Sequence, residues 1–311
     1  MRTKVGLLIA TAFTASVQAQ VLPNDAVVGG KTIGEWTAEC WKWIYSIPTN
    51  ENPQLDCDGK WANNRQPDPT VFFIAPVTGV SPPPCTRTFT VPENRFILLP
   101  VLGITIDNID TVPPLTLEEL HDILNGVLDV PADLHASIDD QPVPNLLQHR
   151  ATSPPFSFDF PDGDNPLTLF YQHPIIGLDD PVIADGYWLM LEPLSPGPHV
   201  LHTGGKVSIP FFLPHYIICN ITVVPIALDQ RVAELIAAVD GTNLPKNRQL
   251  PLVATLDAAK ASFGSTNQRA GINQLRAFQN KLRAQIAPSD PTLAEQLFQA
   301  AQKILDTLPS M

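Results

Sequence analysis

Seven histidines, His121, His135, His149, His173, His199, His202 and His215, are the first residues that could do chemistry, since a neutral imidazole is both a metal ligand and a general base near neutral pH. His199 and His202 stand three apart in Pro-Gly-Pro-His-Val-Leu-His-Thr-Gly-Gly, which reads as a strand between turns. On a strand, positions three apart face opposite sides, which disfavours a shared metal. Two acidic groups could add oxygen ligands: Asp107, Asn108 and Asp110, and then Asp159, Asp162, Asp164 and Asn165 around Gly163. Such spacing suits calcium, but neither group follows the twelve-residue loop pattern, and turn formation by Asp and Asn is the competing reading. One functional reading is therefore a metal-assisted hydrolase using His199 and His202 with Asp162 and Asp164, with calcium or zinc as cofactor.

The other chemistry on offer is recognition. There is no Gly-x-Ser-x-Gly elbow, no His-Glu-x-x-His, no phosphate loop and no dinucleotide fingerprint, so nothing local nominates a nucleophile or a cofactor. Trp61 sits in the polar stretch Asp58-Gly59-Lys60-Trp61-Ala62-Asn63-Asn64, where an exposed indole is a ligand contact. Trp41 and Trp188 are further candidates, while Trp36 and Trp43 fall on an apolar stripe and read as core. A net charge of −12, from 19 basic and 31 acidic residues, leaves no basic footprint for nucleic acid.

The N-terminus has the form of a secretory leader: Arg2 and Lys4, an apolar run, then Val17-Gln18-Ala19 before Gln20. Export to an oxidising compartment makes disulfides the default for Cys40, Cys57, Cys85 and Cys219. Cys57 and Cys85 flank one apolar run in loop sequence and are paired on that ground, which leaves Cys40 with Cys219; a structural zinc site is the competitor, but no Cys-x-x-Cys is present. Asn220-Ile221-Thr222 matches a glycosylation acceptor. No later stretch is long and apolar enough to span a bilayer.

The elements that position these residues divide near residue 228. Of the 33 prolines, 28 precede residue 229, which argues for short strands and turns there and for helices after it. Apolar runs at 71–75, 87–91, 96–106, 167–172, 187–191, 206–212 and 216–224 predict a mainly β, two-sheet sandwich of jelly-roll or Ig-like kind over 20–228, following a leader at 1–19. One helix precedes the sheets: Thr32 and Glu35 form a capping box, and Ile33, Trp36, Cys40, Trp43 and Ile44 recur at helical steps. Cys40 on that stripe and Cys219 on an alternating strand both face inward. The region 229–311 predicts a small bundle of four helices, the third capped from Ser265 and the fourth from Asp290 and Pro291.

Glu35-Trp36, Trp41-Lys42-Trp43, Cys57 to Cys85, Asp185-Gly186-Tyr187-Trp188 and Pro193-Leu194-Ser195-Pro196-Gly197 with His199 resemble a group of uncharacterised secreted bacterial proteins. The resemblance implies a shared fold and export and no particular activity. Taken together, the sequence predicts a secreted, non-catalytic protein that binds a glycan or a surface protein, with the metal-assisted hydrolase and a structural envelope or matrix component as alternatives.

Overall fold

The computed structural model describes residues 20–77, 84–160, 163–207, 214–265 and 267–308. The expected leader 1–19, Asp162 and most of the run 206–212 lie outside these residues. Contacts divide the chain into two compact units, Met1–Val224 and Pro225–Met311.

In the first unit the strands are β1 (Val27–Val28), β2 (Lys31–Thr32), β3 (Val71–Phe73), β4 (Cys85–Pro92), β5 (Phe96–Ile106), β6 (Ala132–Ile138), β7 (Gln141–Pro142), β8 (Phe156–Phe160), β9 (Gly177–Leu191), β10 (Gly197–Lys206) and β11 (His215–Val224). Three helices are interleaved with them: α1 (Ile33–Tyr45), α2 (Leu117–Leu128) and α3 (Pro166–Tyr171). The sheets run β1-β2, β3-β5-β9-β8 and β4-β11-β10-β6-β7.

The expectation of a mainly β two-sheet sandwich behind one helix is overturned. The chain is mixed α/β, 38% helical and 28% strand, with seven helices and three sheets among the described residues, one sheet curled into a half-barrel. Proline density misled because the prolines cluster and leave proline-free windows between them. Thr116 caps α2 through a reciprocal box with Glu119, and Leu120, Leu124, Val127 and Leu128 form its buried stripe, all between Pro114 and Pro131. The run 167–172, read as a strand, is mostly α3, with Pro166 in its first turn and Asn165 at its N-cap.

The four-stranded sheet is covered on both faces, which is why β5 and much of β9 are apolar almost without alternation. On one face, Trp36, Cys40, Trp43 and Ile44 of α1 share a core with Phe73, Leu98, Trp188 and Met190. The intervening residues Ile97, Leu99, Val101, Leu189 and Leu191 point the other way, into a second core with Leu201, Ile217, Cys219 and Ile221 of the five-stranded sheet.

This geometry corrects one cysteine pairing. Cys57 and Cys85 form a disulfide, but Cys40 and Cys219 are both free and buried. Each does face inward, as the periodicities predict, but into a different interior, with the four-stranded sheet between them. The disulfide starts β4, an edge strand, and the loop behind Cys57 lies along it: Thr88 N–H donates to Asp58 O at 2.9 Å.

The second unit holds α4 (Leu228–Asp240), α5 (Lys246–Gly264), α6 (Gln268–Lys281) and α7 (Pro291–Asp306) around a core that includes Leu235, Leu256, Leu275, Phe278 and Leu297. Asn267, not Ser265, caps α6, and Asp290 caps α7 ahead of Pro291.

Candidate functional site

An acidic cleft of about 350 Å³ opens where β5 ends and β9 begins. After Ile106 the chain turns through 107–110. Asn108 fixes the turn, because Leu115 N–H donates to its side-chain Oδ1 at 2.7 Å. The turn aims two main-chain amides at carboxylates: Ile109 N–H donates to Asp107 Oδ1 at 3.1 Å, and Asn108 N–H donates to Asp179 Oδ1 at 3.2 Å. α3 brings up Tyr171, whose hydroxyl donates to Asp107 Oδ1 at 2.6 Å. His173 follows, with Nε2 2.6 Å from Asp110 Oδ2 and Nδ1 3.1 Å from Pro174 O.

Asp179 is the unusual member. It is 5% exposed, and its Oδ2 is buried without a hydrogen-bond partner among the described residues. Burial first, and the charge of Asp107 second, push its carboxyl up to about 7, against a partial pull from the Asn108 amide. Burial also raises Asp107, although Tyr171 and Ile109 hold it down. The Tyr171 phenol is raised by burial and by its bond to Asp107. Beneath them the Tyr45 phenol, 2.6 Å from Thr105 Oγ1, is raised by burial and then by Asp107. His173 is raised chiefly by Asp110.

The walls around these acids are apolar: Phe160, Ile175, Ile176, Leu178 and Pro174. Ile176 and Leu178 are 68% and 70% exposed, so the rim is apolar as well. The described lining contains no serine, threonine or cysteine. A larger hollow of about 550 Å³ beside Pro131, Leu134, Val143 and Leu146 has no titratable side chain.

The residues singled out in the sequence go elsewhere. His199 and His202 are both on β10 but do not converge. His199 is held by Asp139, Nδ1 to Oδ2 at 2.7 Å, and Ser195 Oγ lies 3.4 Å from its Nε2, so the three residues have the order of a nucleophile, base and carboxylate. That Nε2, however, is 2.8 Å from Ser195 O, which can only accept, so the nitrogen donates and is not available to take a hydroxyl proton. Asp139 also accepts Val200 N–H at 2.9 Å, and the group locks a turn onto β10.

His202 packs against His135, ring centroids 4.9 Å apart. Asp164 accepts Thr49 N–H and Oγ1–H at 3.1 and 2.6 Å. Among the described residues, no group of three or more His, Cys, Asp or Glu is placed to hold a metal.

Of the tryptophans, Trp188 is fully buried and Trp41 nearly so, so neither presents a face to a glycan. Trp61 is half-buried, with Lys60 Nζ 4.3 Å over its ring. Among the described residues no helix is long and apolar enough to cross a membrane.

Asp107 and Asp110 belong to a group visible in the sequence, and the decisive Asp179 does not. It is 71 residues from Asn108, and only the β5–β9 pairing brings them together. The chain matches no family model, no curated protein and no solved structure, so the site's chemistry rests on its own geometry.

Proposed function

We propose that this is an exported binding protein whose ligand places a protonated amine, on an alkyl or aryl stem, into the acidic cleft. One observation carries the reading: Asp179 is a buried carboxyl with one oxygen unpartnered among the described residues, at the wall of an apolar-rimmed hollow. Leaving such an oxygen unpaired costs about 1–3 kcal/mol, and a donor from a ligand recovers it. A cation is the matching donor because the charges of Asp107 and Asp180 both act on Asp179, Asp110 and Asp180 share its cleft, and the described lining holds no lysine or arginine, its histidine being paired with Asp110. The apolar walls suit the stem, as in most small-ligand sites, where a few polar groups fix orientation within an apolar frame.

A glycan is favoured less, because two of the three candidate indoles are buried. Metal-assisted hydrolysis through an ion shared by His199 and His202 is favoured less, because His199 is bonded to Asp139 and His202 sets its ring against His135 instead. Export is supported by the leader-like start and by the Cys57–Cys85 disulfide.

The test is calorimetric titration of the full chain with benzylamine, spermidine and an Nα-acetyl-lysine amide, alongside neutral oligosaccharides. Saturable amine binding that disappears in Asp179→Asn is the expected result. Oligosaccharide binding that is unchanged in Asp179→Asn, with no amine binding, would overturn the proposal.

A further inference from the structure

The outer face of the five-stranded sheet carries a second cluster, independent of the cleft. His135 on β6 and Tyr216 on β11 both lie opposite Gly204 on β10. Their rings meet over that glycine, stacked at 5.5 Å with a 22° interplanar angle. A Cβ at Gly204 would stand 2.4 Å from His135 Cε1, so the absent side chain is what lets the imidazole settle there. His202, two residues earlier on the same face of β10, brings its ring to 4.9 Å from His135.

The hydrogen bonding sets the chemistry of this pair. His135 Nδ1 lies 2.8 Å from Asp133 O, and a carbonyl can only accept, so Nδ1 carries the proton and Nε2 keeps its lone pair. Fixing one ring nitrogen on a main-chain carbonyl is how metal-ligating histidines are commonly oriented. His202 has no hydrogen bond from either ring nitrogen among the described residues, and both nitrogens are unspent. Two imidazoles sharing one ion at a nitrogen–metal distance near 2.0–2.1 Å have centroids roughly 4.5–5.2 Å apart for coordination angles between square and tetrahedral. The observed separation falls inside that interval.

We propose that His135 and His202 form a two-imidazole site for a divalent transition-metal ion, zinc or copper, on the outer face of the five-stranded sheet. The remaining coordination positions are open to water or an exchangeable ligand, because no third His, Cys, Asp or Glu joins the pair among the described residues. Imidazole ligands select zinc and copper over calcium and magnesium, which want oxygen.

The experiment uses untagged full chain, titrated with zinc chloride by calorimetry and loaded with copper(II) for pulsed electron paramagnetic resonance. The expected result is one ion per chain with imidazole nitrogen couplings, and affinity reduced at least about tenfold in His202→Ala and in His135→Ala. His202→Ala leaves the His135–Tyr216 stack in place, so it decides the matter if His135→Ala fails to fold. His199→Ala serves as control and should bind as the parent does. Wild-type affinity in a folded His202→Ala, or absence of stoichiometric binding in the parent, would overturn the proposal.

Discussion

Asn108 and Asp179, 71 residues apart, meet through one hydrogen bond: the Asn108 amide reaches Asp179 Oδ1 at 3.2 Å, and among the described residues no donor reaches the other oxygen. The carboxyl is therefore half-satisfied in a place that water barely enters, and its cost to the fold depends on pH. Its folded pKa, about 7, exceeds the ordinary value of 3.8, so the native state binds more protons than the unfolded state between those limits. Its contribution to stability falls as pH rises from about 4 to 7 and is flat above.

Asp179→Asn should raise stability at pH 8 by about 2 kcal/mol, a figure discounted for solvent screening at the cleft mouth, while amine binding is lost. Denaturant unfolding at pH 5 and pH 8 checks this. A variant less stable at pH 8 would contradict the half-satisfied carboxyl.

His215 should produce the opposite slope. It is 3% exposed, and burial, followed by the positive charge of Arg87, depresses it to about 3. Between pH 3 and 6.5 the unfolded state binds the extra proton, so stability rises with pH there. With Asp179 falling over much of the same range, the two contributions oppose each other from pH 4 to 6.5. Asp179→Asn should expose a rising limb and His215→Gln a falling one, each measurable by thermal unfolding across pH.

The thiols offer a direct chemical check. Burial raises Cys40, and it raises Cys219 to about 11 against the opposing charge of Arg87. Native protein should titrate no thiols with Ellman's reagent, and guanidinium without reductant should reveal two. None in guanidinium would restore a second disulfide. Reducing Cys57–Cys85, which spans 28 residues, should cost about 3–4 kcal/mol.

Arg150 gathers Asp185, Asp129 and the Asn125 side chain, with Asp185 only 1% exposed. Arg150→Ala strands a buried carboxylate and should destabilise by about 3–5 kcal/mol, visible as a lower urea midpoint. Combining it with Asp185→Asn should recover part of that loss.

Legibility in the sequence followed the range of the interactions. The caps of α1 and α7 and the Cys57–Cys85 bridge could be read because each lies within one local stretch. α2 was as local, with its box at Thr116 and Glu119, and proline counting averaged over its window hid it. The burial of both faces of β5 was present as an unbroken apolar run, yet the same run fits an inner strand of a sandwich. Cys40 and Cys219 show the limit of periodicity, which gives a direction inward but not which interior. The cleft was half visible: Asp107 and Asp110 stand together in the chain, whereas Asp179 and Tyr171 join them only through tertiary pairing.

The bridge from Cys57 to the start of β4 keeps a length of chain laid against an otherwise open strand, where Asp58 takes the Thr88 amide. Once reduced, that flap is left to hydrogen bonds, Arg87 Nε to Asp56 O at 2.8 Å and Nη2 to Pro53 O at 2.9 Å among them, so it opens more readily, and the bared main-chain donors and acceptors become a template for another molecule of the same kind. The covalent link thus guards against polymerisation as well as against unfolding, and chains in a thiol-rich medium should accumulate as intermolecular β assemblies well below the temperature at which they melt.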